Sequence, residues 1–165
     1  MRPFRWDITR REQLGTLLGR GKRPTLDEYA FLDDLRAAAG FLEREHRAAG
    51  MLIGHSLGGA AVLRVAGEMG SVKCVATIGA PAQASHVQHL LTSAEFMDDE
   101  TAEVSIGGRP FRIGRQLVED LEQRDSVTHI REIDAALMVM HSPVDQVVGI
   151  DNAEKIYVAA RHPKS

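Results

Sequence analysis

Apolar residues in this chain fall into two spacings, and the switches between them mark out its elements. Phe31, Leu35, Ala38, Ala39 and Leu42 recur at helical intervals. Thr25 and Glu28 form a capping box behind Pro24, so a helix is predicted from there to the stop at Gly50. Met51 to Gly54 then reads as a short buried strand, Leu57 to about Met69 as a second helix closed by Gly70, and Val72 to Ile78 as a second buried strand ended by Gly79-Ala80-Pro81. A strand, helix, strand run of this kind predicts a parallel sheet with a crossover helix. Ala135 to Met140 is the third buried strand, and Asp151, with Glu154 three residues on, is predicted to cap a last helix running to about Arg161. All three strands are apolar at every position type, as expected where both faces of a sheet are covered.

Residues 82–132 break this rhythm. Ser85 to Leu91 and Gln116 to Gln123 read as helices. Val104 and Ile106 alternate around Ser105, Phe111 and Ile113 around Arg112, and Gly107-Gly108 lies between the pairs, which predicts a β-hairpin. The segment is expected to be an insertion over one edge of the sheet. Residues 1–24 give no firm element beyond a short strand at Phe4 to Ile8. The fold class predicted is α/β: a parallel sheet with flanking helices and a hairpin-bearing cap, in one domain of 165 residues.

Composition narrows the function classes. Hydrophobic residues make up 44%, charged residues 26%, and the net charge is −3, with no basic block, so nucleic acid is not an expected partner. No apolar run approaches the ~20 residues of a membrane span, and the N-terminal residues lack a signal-peptide core. Cys74 is the only cysteine; in its apolar run it reads as a buried core thiol of a reducing, cytoplasmic compartment. The histidines have no partners at metal-ligand spacing, and no phosphate or dinucleotide loop is present, so no metal or cofactor is expected.

The candidate chemistry starts at Gly54-His55-Ser56-Leu57-Gly58. A serine between a strand and a helix must sit on a very tight turn that exposes its Oγ, and Gly54 and Gly58 leave room for the turn. The helix starting at Leu57 aims its first amides at the same place, so the Leu57 N–H can hold an oxyanion. The other reading is a glycine-rich turn with an incidental serine. His141-Ser142-Pro143-Val144-Asp145 follows the third strand. The carboxyl ends of parallel strands share one edge, so Asp145 is expected on the edge that carries Ser56, as the acid of a Ser-His-Asp set. A turn aspartate or a helix cap is the alternative; Asp151 already reads as the cap.

The stretches L-I-G-H-S-L-G-G-A-A-V-L, V-A-T-I-G-A-P-A, R-P-F-R-I-G-R-Q and M-H-S-P-V-D-Q-V-V-G-I-D-N-A together resemble the serine α/β-hydrolases of the dienelactone-hydrolase and serine-aminopeptidase-like kind. More closely, they resemble the hydrolase half of bacterial proteins that fuse an α/β-hydrolase to an OsmC-type domain. The resemblance implies Ser56 as nucleophile, Asp145 as acid, and the hairpin as part of a cap. It also implies a histidine in a loop after one more strand, and earlier strands whose loop gives a second oxyanion amide. Neither is found in this chain, so both ends are expected to be truncated relative to the family.

The chain's other histidines differ in their fitness as the base. His162 is expected at the opposite edge of the sheet, His55 cannot turn back onto its neighbour, and His141 is expected to order the acid loop. His86 and His89 could face the pocket but read equally well as a solvated helix face. His46 and His129 read as surface residues. Phe111, with Leu90, Phe96 and Leu117, is a candidate for an apolar pocket wall. Two functions follow: a serine hydrolase of a small ester, thioester or amide, or a non-catalytic module of the same fold. The second would bind a partner such as an OsmC-like domain, or a second copy through exposed sheet edges.

Overall fold

The computed structural model describes residues 28–83, 96–98, 101–106, 109–114 and 127–165. Helix α1 (Glu28–Glu45) leads to strand β1 (Met51–His55), helix α2 (Leu57–Val65) and strand β2 (Cys74–Ile78). A second group follows: β3 (Phe96–Asp98), β4 (Thr101–Ile106) and β5 (Arg109–Gly114). A 3-10 turn (Thr128–Glu132), strand β6 (Ala136–Met140) and helix α3 (Asp151–Ala159) complete the order.

The main sheet is parallel, in the order β1-β2-β6. In register, Leu52, Val75 and Leu137 lie across one face, followed by Gly54, Thr77 and Val139. This face carries the core. Leu63 and Val65 of α2, Ile130 of the 3-10 turn, Ile156 of α3 and Leu32 of α1 join Leu52, Val75 and Leu137 in one buried cluster. Arg36 of α1 is hydrogen-bonded to Glu68, just beyond α2, at 2.7 and 2.8 Å. That pair is exposed, so it orients α1 more than it stabilises it.

The sequence expectations are largely met here. The three strands and two following helices stand within two residues of their predicted starts, and the two strands of the predicted hairpin pair antiparallel, with Ile106 opposite Arg109. Strand β3, which pairs with β4, was not foreseen. The capping box at Thr25, the N-terminal segment and the two helices predicted within the insertion lie outside the described residues.

Four expectations are corrected. Helix α1 ends at Glu45 rather than running to Gly50, because the chain must turn into β1. Ser71 and Lys73 bind the Ala49 and Gly50 carbonyls there. Asp151 is the first residue of α3 rather than its cap; the preceding residue, Ile150, holds the cap position. Cys74 is not a buried core thiol but half-buried, because its side chain falls on the sheet face away from α2. Strand β6 has an outer neighbour: the Pro163 and Ser165 carbonyls accept from Leu137 and Val139 N–H, and Ser165 N–H donates to Leu137 O, all within 3.0 Å. Lys164 bridges Leu137 in parallel, so the chain's last residues extend the sheet by one position. None of the described helices is long and apolar enough to cross a membrane.

Candidate active site

Strand β1 runs into α2 through one residue, and the geometry of that residue follows from the glycines around it. Ser56 sits at φ +51°, ψ −124°, backbone that only glycine adopts without strain. It stays there because both its backbone groups are held. Its N–H donates to Ile78 O of β2 at 2.9 Å, and its carbonyl accepts from Gly59 and Ala60 N–H at 2.8 and 3.2 Å. A side chain on Gly54 would meet the Gly58 carbonyl oxygen at 2.2 Å, and one on Gly59 would meet Ala80 Cβ at 2.4 Å. The turn closes only because both lack a Cβ.

Two consequences matter for chemistry. The side chain of Ser56 makes no cap hydrogen bond, so its hydroxyl is left to the surroundings. The Leu57 and Gly58 N–H groups, at the start of α2, have no intrahelical partner. Ser56 Oγ and the Leu57 amide thus stand together at the positive end of a helix of nine residues.

Asp145 lies at the same edge. Its Oδ1 accepts from Val147 N–H at 2.9 Å and Val148 N–H at 3.0 Å. The other oxygen, Oδ2, lies over the end of β2: a Cβ on Gly79 would come within 3.2 Å of it. Gly79, at φ +54°, has its N–H on Met140 O of β6. One oxygen thus closes the turn, as the turn-aspartate reading expects, while the other takes no part in that turn. The Val148 and Val147 amides hold its carboxyl below the usual carboxylate range against the opposing effect of burial, with lesser contributions from the nearby His141 and His55. A depressed carboxyl contributes stability above its unfolded pKa, and that contribution is lost as pH falls through the folded pKa. The protein is accordingly expected to lose more melting temperature between about pH 5 and pH 3 than its Asp145→Asn variant, as read by calorimetry at both pH values.

His141 orders the acid loop, as expected. Its ring is 2% exposed, its Nε2–H donates to Val148 O at 2.8 Å, and Nε2 is 3.8 Å from Asp145 Oδ2. Among the described residues its Nδ1 has no partner. His162 precedes the Lys164–Leu137 bridge near the start of β6, which puts it toward the amino edge, away from Ser56. His55 ends β1 and is exposed, His46 is exposed, and His129 is half-buried, with its Nδ1 3.1 Å from Arg64. Phe111 lies on β5. His86, His89, Leu90 and Leu117 lie outside the described residues. Among the described residues no three His, Cys, Asp or Glu side chains are placed to hold a metal ion.

One site residue was missed by the sequence reading. Asn152 is fully buried in the first turn of α3, where its Oδ1 accepts from Ala82 N–H at 3.0 Å and its Nδ2 donates to Gly149 O at 2.9 Å. It ties the loop after β2 to the acid loop. Nothing in its spacing marks it, because the contact spans 70 residues. Asn152→Ala leaves the buried Ala82 amide without its partner, while Gly149 O keeps the backbone N–H of residue 152 at 3.1 Å, so a loss of about 1–3 kcal/mol in a urea melt is expected.

This architecture has relatives among solved structures. The chain is similar to the esterase domain of a Rhodothermus marinus protein, at 52% identity and a TM-score of 0.71, covering 81% of this chain and 56% of that one. It is also similar to Est1E from Butyrivibrio proteoclasticus (14% identity, TM-score 0.64, 82% and 57% covered). A third is a lipase-esterase related protein from Clostridium acetobutylicum (18%, 0.55, 88% and 68%). The last two likenesses concern the fold alone. The chain spans little more than half the length of the first two structures. No family model and no curated protein matches it. The fold is a partial α/β-hydrolase fold, with a parallel three-stranded sheet and flanking helices.

Proposed function

We propose that this chain is the nucleophile- and acid-bearing part of a serine hydrolase that acts on a small ester, thioester or amide. The observation that carries the reading is the strained backbone of Ser56, pinned between Ile78 O and the first turn of α2. Strain of that kind persists where the surrounding structure overdetermines it, and here its effect is to present one hydroxyl. The likeness to an esterase domain at 52% identity supports acyl chemistry.

In this reading Ser56 Oγ attacks the acyl carbon while an imidazole takes its proton. The tetrahedral oxyanion forms against the Leu57 N–H. The bond to the leaving group then breaks, the imidazolium returns the proton to that group, and water releases the acid from Ser56 by the same steps. Asp145 Oδ2 orients the imidazole and stabilises its charged form. The pocket wall is assigned to the cap, with Phe96 and Phe111 on its strands.

A second reading is favoured by a specific observation. Among the described histidines, His141 is committed to Val148 O and His162 lies toward the far edge, so neither serves as the base. The chain would then be a hydrolase-fold module that binds or steadies a partner, such as an OsmC-like domain. One experiment separates the two. The chain is treated with a fluorophosphonate probe, with and without added imidazole, and the labelled residue is mapped by mass spectrometry. The hydrolase reading expects labelling at Ser56 that imidazole accelerates and that Asp145→Ala slows. Labelling of another serine with Ser56 spared, or none at all, points to the module.

A further inference from the structure

One buried hydroxyl plays no part in the site described above. Thr77 is fully buried in β2, and its Oγ1 has no hydrogen-bond partner among the described residues. The same holds for Nδ1 of His141, whose ring is 2% exposed. A buried polar atom left unpaired is costly, and two of them close together call for one explanation.

Register brings the two residues near each other. Thr77 pairs with Val139 across β2 and β6. Gly79 N–H donates to Met140 O at 2.9 Å, so the ladder runs on past the strand ends. His141 stands two residues beyond Val139 and therefore on the same face of the sheet as Thr77. Neighbouring parallel strands are about 4.8 Å apart and two residues advance about 6.6 Å, which puts the two Cα atoms about 8 Å apart. Side chains of this size narrow that gap to the reach of two hydrogen bonds in series, about 5.6 Å, rather than one, about 2.8 Å.

Their chemistry is complementary as well. The Val148 carbonyl can only accept, so Nε2 of His141 carries a proton, and Nδ1 of the neutral ring is an acceptor. The other tautomer would set an Nε2 lone pair against two oxygens, Val148 O at 2.8 Å and Asp145 Oδ2 at 3.8 Å. Thr77 Oγ1–H is a donor. A water molecule that accepts from Thr77 and donates to His141 satisfies both, and two such partners are enough to hold it.

We propose that one buried water links Thr77 Oγ1 to His141 Nδ1, and that through this link both residues position Asp145. The positioning role rests on the hydrolase reading. The link fixes the His141 tautomer, so that Nε2–H holds Val148 O at 2.8 Å. Val148 N–H, on the same buried residue, holds Asp145 Oδ1 at 3.0 Å. With Oδ1 committed, Oδ2 is left to the base.

Proton–nitrogen NMR of the full chain at mildly alkaline pH reads the His141 ring directly. One Nε2–H tautomer is expected, with the Nδ1 resonance of a hydrogen-bonded acceptor. Thr77→Val, which keeps the shape and removes the hydroxyl, should move that resonance toward its unbonded value. Imidazole-assisted fluorophosphonate labelling of Ser56 should slow by about two- to tenfold in Thr77→Val, the worth of one hydrogen bond, and recover in Thr77→Ser. Far-UV dichroism should show all three proteins folded. A ring protonated at Nδ1, or an Nδ1 resonance unmoved by Thr77→Val, would overturn the link. Unchanged labelling in Thr77→Val, or a loss that Thr77→Ser does not restore, would overturn the positioning role. Ser56 left unlabelled in the full chain itself would instead strike the hydrolase reading, and the NMR result would still decide the link.

Discussion

Replacing Ser56 by glycine is expected to abolish fluorophosphonate labelling and to make the protein more stable. The two effects share one cause. At φ +51°, ψ −124°, a residue with a Cβ carries roughly 1–3 kcal/mol of backbone strain. Glycine removes it and returns about 0.5–1 kcal/mol through its extra freedom in the unfolded chain. The net gain is about 0.5–2 kcal/mol, or a few degrees of melting temperature for a chain of this size. Ser56→Ala removes the hydroxyl but keeps the Cβ, so labelling should vanish with stability little changed. The pair therefore separates chemistry from strain. A lower melting temperature for Ser56→Gly would mean the turn is comfortable for serine, and the argument that the fold holds Ser56 in place for reaction would fail. Labelling that survives either substitution would place the nucleophile elsewhere.

How much of this was legible beforehand differs by the range of the contact. Ser56 and Leu57 could be read because strand, turn and helix are adjacent in sequence, and their glycines are the local sign of a tight turn. The hairpin at Gly107-Gly108 was legible for the same reason. Asp145 was placed at the right edge by topology alone, since parallel strands put their carboxyl ends together. Its division of labour was not readable, because the Val147 and Val148 amides bind one oxygen only once the loop has folded. Asn152 was invisible, being polar, buried and defined by a partner 70 residues away. The strands' apolar character was read as burial on both sides. The described helices cover one, because α1, α2 and α3 all pack on the Leu52–Val75–Leu137 face. The sequence also suggested exposed sheet edges, and the edge beyond β6 is paired. The three hydrogen bonds from Pro163 and Ser165 depend on where the chain goes after α3, which no periodicity of three residues can reveal.

The glycines of the elbow should not be equal, although the motif treats Gly54 and Gly58 alike. A Cβ at Gly54 would sit 2.2 Å from the Gly58 carbonyl oxygen and 2.6 Å from Gly59 Cα, all backbone that cannot swing aside. Gly54→Ala must push β1 and α2 apart, so it is expected to cost about 3 kcal/mol or more, among the larger effects of a single methyl. At Gly58 a Cβ meets nothing within 4 Å. Gly58→Ala lies in the first turn of a helix, where alanine is favoured by up to about 1 kcal/mol, so that variant should be neutral to slightly stabilised. The third position to test is Gly59, which the motif omits. Its Cβ would lie 2.4 Å from Ala80 Cβ, a side chain that can be removed. Gly59→Ala should therefore be destabilising alone and partly recovered by Ala80→Gly, with a coupling of at least about 1 kcal/mol in a double-mutant cycle. Additive effects at Gly59 and Ala80 would mean that α2 yields to the added methyl. The close approach of α2 to the loop after β2 would then not be what fixes Ser56 beside the end of that strand.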